Sequence, residues 1–307
     1  MPAYLLLILA PLFWAGNVVL ARGVVTFFPP IALAFWRWTL AFLFILPFTW
    51  RAVAADWPLV RQSWRPLALL GFLGISCFNT LLYVGVQTTT AINGALIQTT
   101  MPALIILISW GLYGERVRPL HWLGVALCTA GALLIVVRGD WQVLVSLSLV
   151  TGDALILLAV FLYGLYSVLL RKRPPLRPAS FLATTFGMGV LLLLPFYMWE
   201  LATNPMPATF NLPAISALLY MAIGPSILAY ICWNRGIELL GASKGGLFIN
   251  FVPLFAAVLS ILFLGEHLQW FHPTGMALIV GGMLVFQVKG GKAGAQRGGG
   301  AEERLTS

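Results

Sequence analysis

The chain is 307 residues long, 60% hydrophobic and only 9% charged, with a mean hydropathy of +0.94. About a quarter of the residues in a soluble domain are charged, so this composition excludes a water-soluble globular body and points to an all-α membrane protein. The formal charge of +9 does not mark a nucleic-acid binder, because the basic residues fall in short segments between apolar runs and not on one solvated face.

A membrane-spanning helix needs roughly 20 apolar residues. In chain order the pattern predicts ten spans, at 4–21, 31–50, 67–87, 92–112, 120–138, 150–170, 179–199, 212–234, 245–265 and 272–288. Proline and charge mark the breaks at Phe28-Pro29-Pro30, Arg116-Val117-Arg118-Pro119, Arg171-Lys172-Arg173-Pro174-Pro175 and Phe271-His272-Pro273. The shortest connection, Thr88-Thr89-Thr90-Ala91, decides the count: without a turn there, two spans merge and nine remain. The opening apolar run follows no basic segment and contains no A-x-A site, so it reads as the first span and not as a cleaved signal.

Placing the N-terminus in the cytoplasm puts all but three of the 18 Lys and Arg residues on the inner side. The exceptions are Arg22 and Arg138 outside and Arg37 within a span, the asymmetry the positive-inside rule demands. Both termini are therefore expected in the cytoplasm of a bacterial-type cell, with the protein in its inner membrane. Residues 289–307 read as a flexible, basic, disordered tail near anionic lipid.

Residues 1–145 and 146–288 read as two five-helix units. One register superposes Gly85 on Gly236, Gly94 on Gly245, Pro102 on Pro253, Gly114-Glu115 on Gly265-Glu266, His121 on His272, Gly124 on Gly275 and Gly131 on Gly282. Five is odd, so the second unit is expected to be inverted in the bilayer, as in many transporters. The charges agree. The connection after the second span carries Arg51, Arg61 and Arg65, whereas its counterpart after the seventh has no Lys or Arg.

The Phe13-Trp14-Ala15-Gly16-Asn17 stretch and the doubled Gly-Glu pattern, followed by His121, Gly124 and Gly131 and by His272, Gly275 and Gly282, resemble the drug/metabolite transporter superfamily and its ten-helix EamA-type members. The likeness covers nearly the whole chain apart from the tail. Its single-chain, aromatic-rich form also looks like the YddG-type amino-acid exporters. What the resemblance implies is a carrier for a small metabolite, an amino acid or similar zwitterion, together with importance for Glu115 and Glu266.

The residues themselves suggest where a solute would sit. Polar groups inside spans are costly and face a cavity or another helix. Asn17, Asn79, Gln98, Thr99, Thr100, Tyr163, Tyr166, Ser167, Tyr230, Asn234 and Asn250 all fall on spans 1, 3, 4, 6, 8 and 9. Trp14, Tyr83 and Trp233 lie on the same spans and could stack on a solute. Bridging between helices, and Thr bonding back to its own turn, is the competing reading of each. Trp36, Trp38, Trp57, Trp64, Trp141, Trp199 and Trp270 fit an interfacial belt; Arg37 could grip a carboxylate, but reads rather as snorkelling or packing between helices. Pro102 and Pro253 are candidate hinges, while Glu115 and Glu266 look like anchors at span ends.

The expected activity is export of small metabolites, amino acids foremost, by alternating access. Efflux of drugs or other amphiphiles is the alternative that the aromatics also permit. A membrane-embedded enzyme fits poorly, because His121 and His272 lie on opposite faces and no catalytic or metal cluster converges. Cys77, Cys128 and Cys232 stand alone in apolar runs. No carboxylate or histidine is placed at mid-depth, so an uncoupled facilitator, acting as a monomer or weak dimer with no cofactor, is expected.

Overall fold

The computed structural model describes residues 2–24, 27–115, 117–146, 150–204, 208–265 and 267–287. The tail and Glu266 lie outside them. The described residues form an all-helical membrane protein without a strand. Its helices are α1 (Pro2–Val24), α2 (Pro30–Gln62), α3 (Trp64–Gly85), α4 (Ile92–Tyr113), α5 (Pro119–Val136), α6 (Thr151–Lys172), α7 (Pro178–Thr203), α8 (Leu212–Leu240), α9 (Ala242–Phe263) and α10 (Phe271–Gln287). Eight of these are long and apolar enough to cross a membrane, and α1 and α10 supply shorter apolar stretches.

The doubtful turn forms. After Gly85 the chain leaves the helix, and Thr90 restarts it by accepting the Asn93 N–H on its hydroxyl at 3.1 Å. The second span differs from expectation: α2 runs for 33 residues, with Ser63 alone separating it from α3. The apolar pattern stops near Trp50, but Ala52, Ala54 and Ala55 favour helix whatever the solvent. The extension also has a partner. Asp56 accepts the Arg177 backbone N–H at 3.1 Å and pairs with its guanidinium at 3.4 Å, just before α7 begins. At the far end of the same pair, Glu200 of α7 accepts the Ile31 and Ala32 N–H groups at 3.0 and 2.6 Å. Each antiparallel helix thus supplies an acid to the other's positive end.

The helix pairings exchange between the two halves. α1 packs on α8 and α9, and its counterpart α6 packs on α3 and α4; α2 meets α7, and α5 meets α10. The α5–α10 contact is the tightest, because glycines let the backbones touch. A Cβ on Gly124 would stand 2.7 Å from the Gly282 carbonyl oxygen, and one on Gly131 would stand 2.5 Å from that of Gly275. Gly124 opposite Gly282 and Gly131 opposite Gly275 also make these two helices antiparallel.

The irregular turns are matched as well. Wide π-type turns occupy Phe72–Cys77 in α3 and Ala222–Leu228 in α8. A proline cannot donate to the carbonyl four residues back and crowds it. Accordingly α4 loosens at Thr99-Thr100 before Pro102, and α9 tightens into a 3-10 turn at Leu247–Asn250 before Pro253. Gly114 and Gly265 end α4 and α9 in the left-handed conformation, at φ 66° and 70°. His121 and His272 then open α5 and α10, each accepting a backbone N–H on Nδ1, at 3.2 Å from Arg118 and 2.9 Å from Gln269. The repeated Gly and His are helix punctuation.

Candidate functional site

A cavity of about 510 Å³ opens at the ends of α4, α6 and α8, lined by Ser109, Tyr113, Glu115, Val168, Arg171, Arg173, Ile237 and Glu238 among others. Ion pairs ring its mouth. Arg171 pairs with Glu115, Arg173 with Glu238 at 3.0 Å, and Arg235 with Glu238 at 2.8 Å. The Ser243 hydroxyl reaches Glu115 at 3.4 Å, so this acid joins α4 to α6 and α9. Lys172 and Arg171 both lie over the Tyr113 ring. Half-exposed pairs of this kind hold little stability individually.

One helical turn from Ile237 along α8, outside the cavity's own lining, the packing becomes aromatic. Trp233 and Tyr230 of α8, Tyr163 and Tyr166 of α6 and Trp14 of α1 form a continuous cluster, with ring centres 5.2 Å apart for Trp14–Trp233, 5.9 Å for Trp14–Tyr163 and 5.4 Å for Tyr163–Tyr166. Polar tips hold the rings in place. Tyr166 donates to the Asn234 amide oxygen at 2.8 Å, and the Trp233 indole donates to Ser167 Oγ at 3.2 Å. The Trp14 indole donates to the Pro225 carbonyl at 3.1 Å, and Tyr230 donates to the Gly74 carbonyl in the wide turn of α3.

Beyond the rings stands Arg37. It is 2% exposed, donating from Nε to Ser226 Oγ at 2.7 Å and from Nη1 to Asn79 Oδ1 at 2.9 Å and Tyr83 Oη at 2.7 Å. Arg37 therefore does not snorkel. It sits about two turns inside α2 and finds uncharged partners on α3 and α8. Pro225 accounts for one of them: it has no N–H for the Met221 carbonyl, and the Ser226 hydroxyl donates to that carbonyl at 2.7 Å. The same oxygen then accepts from Arg37.

Trp38 corrects the aromatic belt. It is fully buried, edge-on to Phe186 and Tyr230 at 4.9 and 5.0 Å, because its face of α2 looks onto α7 and α8. Trp36 is partly buried against Tyr197 and Phe210, whereas Trp57, Trp64, Trp141, Trp199 and Trp270 are all exposed.

The structure brings Trp14, Asn79, Tyr83, Tyr163, Tyr166, Tyr230 and Trp233 into one connected column with Arg37. Gln98 and Thr100 stay apart from it, bonding back to the Gly94 and Ile97 carbonyls of their own helix at 3.2 and 2.7 Å, and Thr100 is exposed. Asn250 is buried with both amide atoms unbonded, and the Asn17 amide oxygen is likewise unbonded, among the described residues. Pro102 and Pro253 are adjacent to the irregular turns described above. Sequence reasoning missed Ser226, whose one signal was its place directly after Pro225 in a span, and it missed Arg37 as the centre of a network. Among the described residues no group of three or more His, Cys, Asp or Glu could hold a metal ion.

The EamA-like transporter family model matches this chain in two stretches, residues 1–137 and 150–287. The chain belongs to the EamA-like transporter family. It is a carrier and not an enzyme. It is 30% identical over 286 residues to the uncharacterized transporter YyaM of Bacillus subtilis, covering 92% of each chain. The probable terminal-alkyne amino-acid exporter of Streptantibioticus cattleyicolor is 25% identical over 221 residues, which cover 71% of this chain and 69% of that one. A crystal structure at 21% identity superposes with a TM-score of 0.72 over 93% of this chain and 97% of its own, sharing the fold.

Proposed function

We propose that this protein is an inner-membrane secondary carrier that exports small metabolites, amino acids foremost, by alternating access and without ion coupling. The observation that carries the reading is the cavity together with its neighbourhood: it opens at the Arg171–Arg173 end of the bundle, the expected cytoplasmic side, and a cluster of buried rings with uncharged polar partners lies next to it along α6 and α8. Such surroundings suit a small zwitterion with an apolar side chain, and they offer no paired basic groups at depth for a phosphorylated sugar. The likeness to an amino-acid exporter supports the same class.

Alternating access is supported by the exchanged helix pairings and the matched irregular turns. Five spans per half, with α5 antiparallel to α10, is what inversion requires. The turns before Pro102 and Pro253 are then equivalent hinges on opposite sides. Uncoupled transport is supported by where the described acids and histidines lie: Glu115 at the cavity mouth, His121 and His272 at helix starts, and Asp153 bound to Thr89 at 2.5 Å near the start of α6.

The test is flux in proteoliposomes with a panel of radiolabelled amino acids and amphiphilic cations, with internal and external pH set independently. Counterflow of neutral amino acids without concentration is expected. Concentrative uptake driven by a pH or sodium gradient would refute the uncoupled mechanism, and transport of amphiphilic cations alone would refute the substrate class.

A further inference from the structure

Among the described residues, Arg37 is a buried positive charge with no acid opposite it. Its contacts are Ser226, Asn79, Tyr83 and the face of Trp38 at 5.2 Å, all uncharged. The two buried acids nearest in kind are engaged elsewhere, Glu200 with the first turn of α2 and Asp153 with Thr89 and the Val150 N–H. An ionised group held away from water without a counter-charge is costly and marks a functional position in a membrane protein.

The hydrogen-bond directions sharpen this. Nε and Nη1 are both directed to uncharged acceptors. Asn79 and Tyr83 serve as acceptors toward Arg37, and each side chain also carries a donor, the Asn79 amide N–H₂ and the Tyr83 O–H. Two further donor groups therefore stand beside one cation whose recorded partners are all uncharged. A carboxylate, which accepts through two oxygens and pairs with a planar guanidinium, is the group that completes such a nest. The nest is also linked to the cavity through α8. Along α8 the inward residues run Ile237 at the cavity, then Trp233 and Tyr230, then Ser226 about 10 Å beyond Trp233.

We propose that Arg37, with the Asn79 amide and the Tyr83 hydroxyl, receives the carboxylate of the transported solute. The rings of Tyr163 and Tyr230 flank the remainder of the molecule, and an ammonium group is accommodated over them. This rests on the carrier reading above and narrows its substrate class to small carboxylates, zwitterions included.

The experiment compares three matched solutes in proteoliposomes: phenylalanine, phenylpropionate, which lacks the amine, and phenethylamine, which lacks the carboxylate. The wild-type protein should carry the two acids in preference to the amine. Arg37→Gln should lower flux of both acids by roughly tenfold or more, the scale of a lost hydrogen bond to a charged group, and spare the amine. Asn79→Asp places a carboxylate of the same size against Nη1, so it should abolish the preference for acids without lowering thermal stability in detergent. If Arg37→Gln does not fold, Asn79→Asp decides alone. Acid flux within twofold of wild type in a folded variant, or equal loss of acids and amine in Asn79→Asp, overturns the role of Arg37 and leaves the amino-acid reading standing. A wild-type protein that carries the amine and neither acid overturns both.

Discussion

Ser226→Ala isolates the junction on which the α2–α8 contact depends. The serine hydroxyl donates to the Met221 carbonyl at the start of the wide turn and accepts from Arg37 Nε, both at 2.7 Å. Alanine removes both bonds while changing almost no volume. A lost bond to a charged group costs about 1.5–3 kcal/mol, and the ordinary bond to a carbonyl that keeps its backbone donor about 0.5–1.5 kcal/mol. Inter-helix bonds in membranes measure lower, about 0.6 kcal/mol on average with a maximum near 1.7, so a total loss of about 2–3 kcal/mol is expected. Ser216→Ala is the internal control, because that exposed serine also bonds to its own helix, at Leu212 O and 2.8 Å, and has no cation above it. Its loss should stay below about 0.5 kcal/mol. The assay is reversible denaturation in mixed detergent micelles, read by tryptophan fluorescence. Repeating Ser226→Ala in an Arg37→Met background should leave only the carbonyl's share, about 1 kcal/mol. Equal losses for Ser226→Ala and Ser216→Ala, or no coupling between Ser226 and Arg37, would refute the junction.

Reversing one charge of the mouth pair, by Glu115→Arg or Arg171→Glu, should change the rate of counterflow at unchanged folded yield, and the double reversal should restore it. Loss of yield with the single changes would make the pair structural. Gly131→Leu should lower yield by pushing α10 away, at about 1–3 kcal/mol for overpacking. In whatever protein folds, the order of solute preference should stay as in wild type, measured by competition flux. Cysteines engineered near Arg177 and at Ser307 should react only with a cytoplasmic thiol reagent in oriented cells, and periplasmic labelling of Ser307→Cys would break the proposed topology.

The spans were legible in the sequence because a bilayer imposes a length and an apolar composition on each helix, and proline and charge mark the ends. The recurring glycines and histidines were legible for a related reason. Gly114, Gly265, His121 and His272 do local work in capping helices, and Gly124, Gly131, Gly275 and Gly282 fit one tight contact, so each must keep its spacing. What the sequence left open is which way each helix faces. Lipid tails and neighbouring helices are equally apolar, so a span shows no polar stripe that fixes its rotation. Trp38 therefore reads as an interfacial residue and Arg37 as one that snorkels, packs between helices or grips a carboxylate, until the packing of α2 on α7 and α8 turns both inward. Gln98 and Asn79 looked alike as isolated polar residues, yet one bonds to its own helix and the other meets Arg37. The length of α2 was decided in the same way, since Asp56 gains its partner from a helix more than a hundred residues away in the chain. Contacts between spans join residues far apart in sequence, and only their placement in three dimensions makes a column of rings and donors out of separate apolar runs.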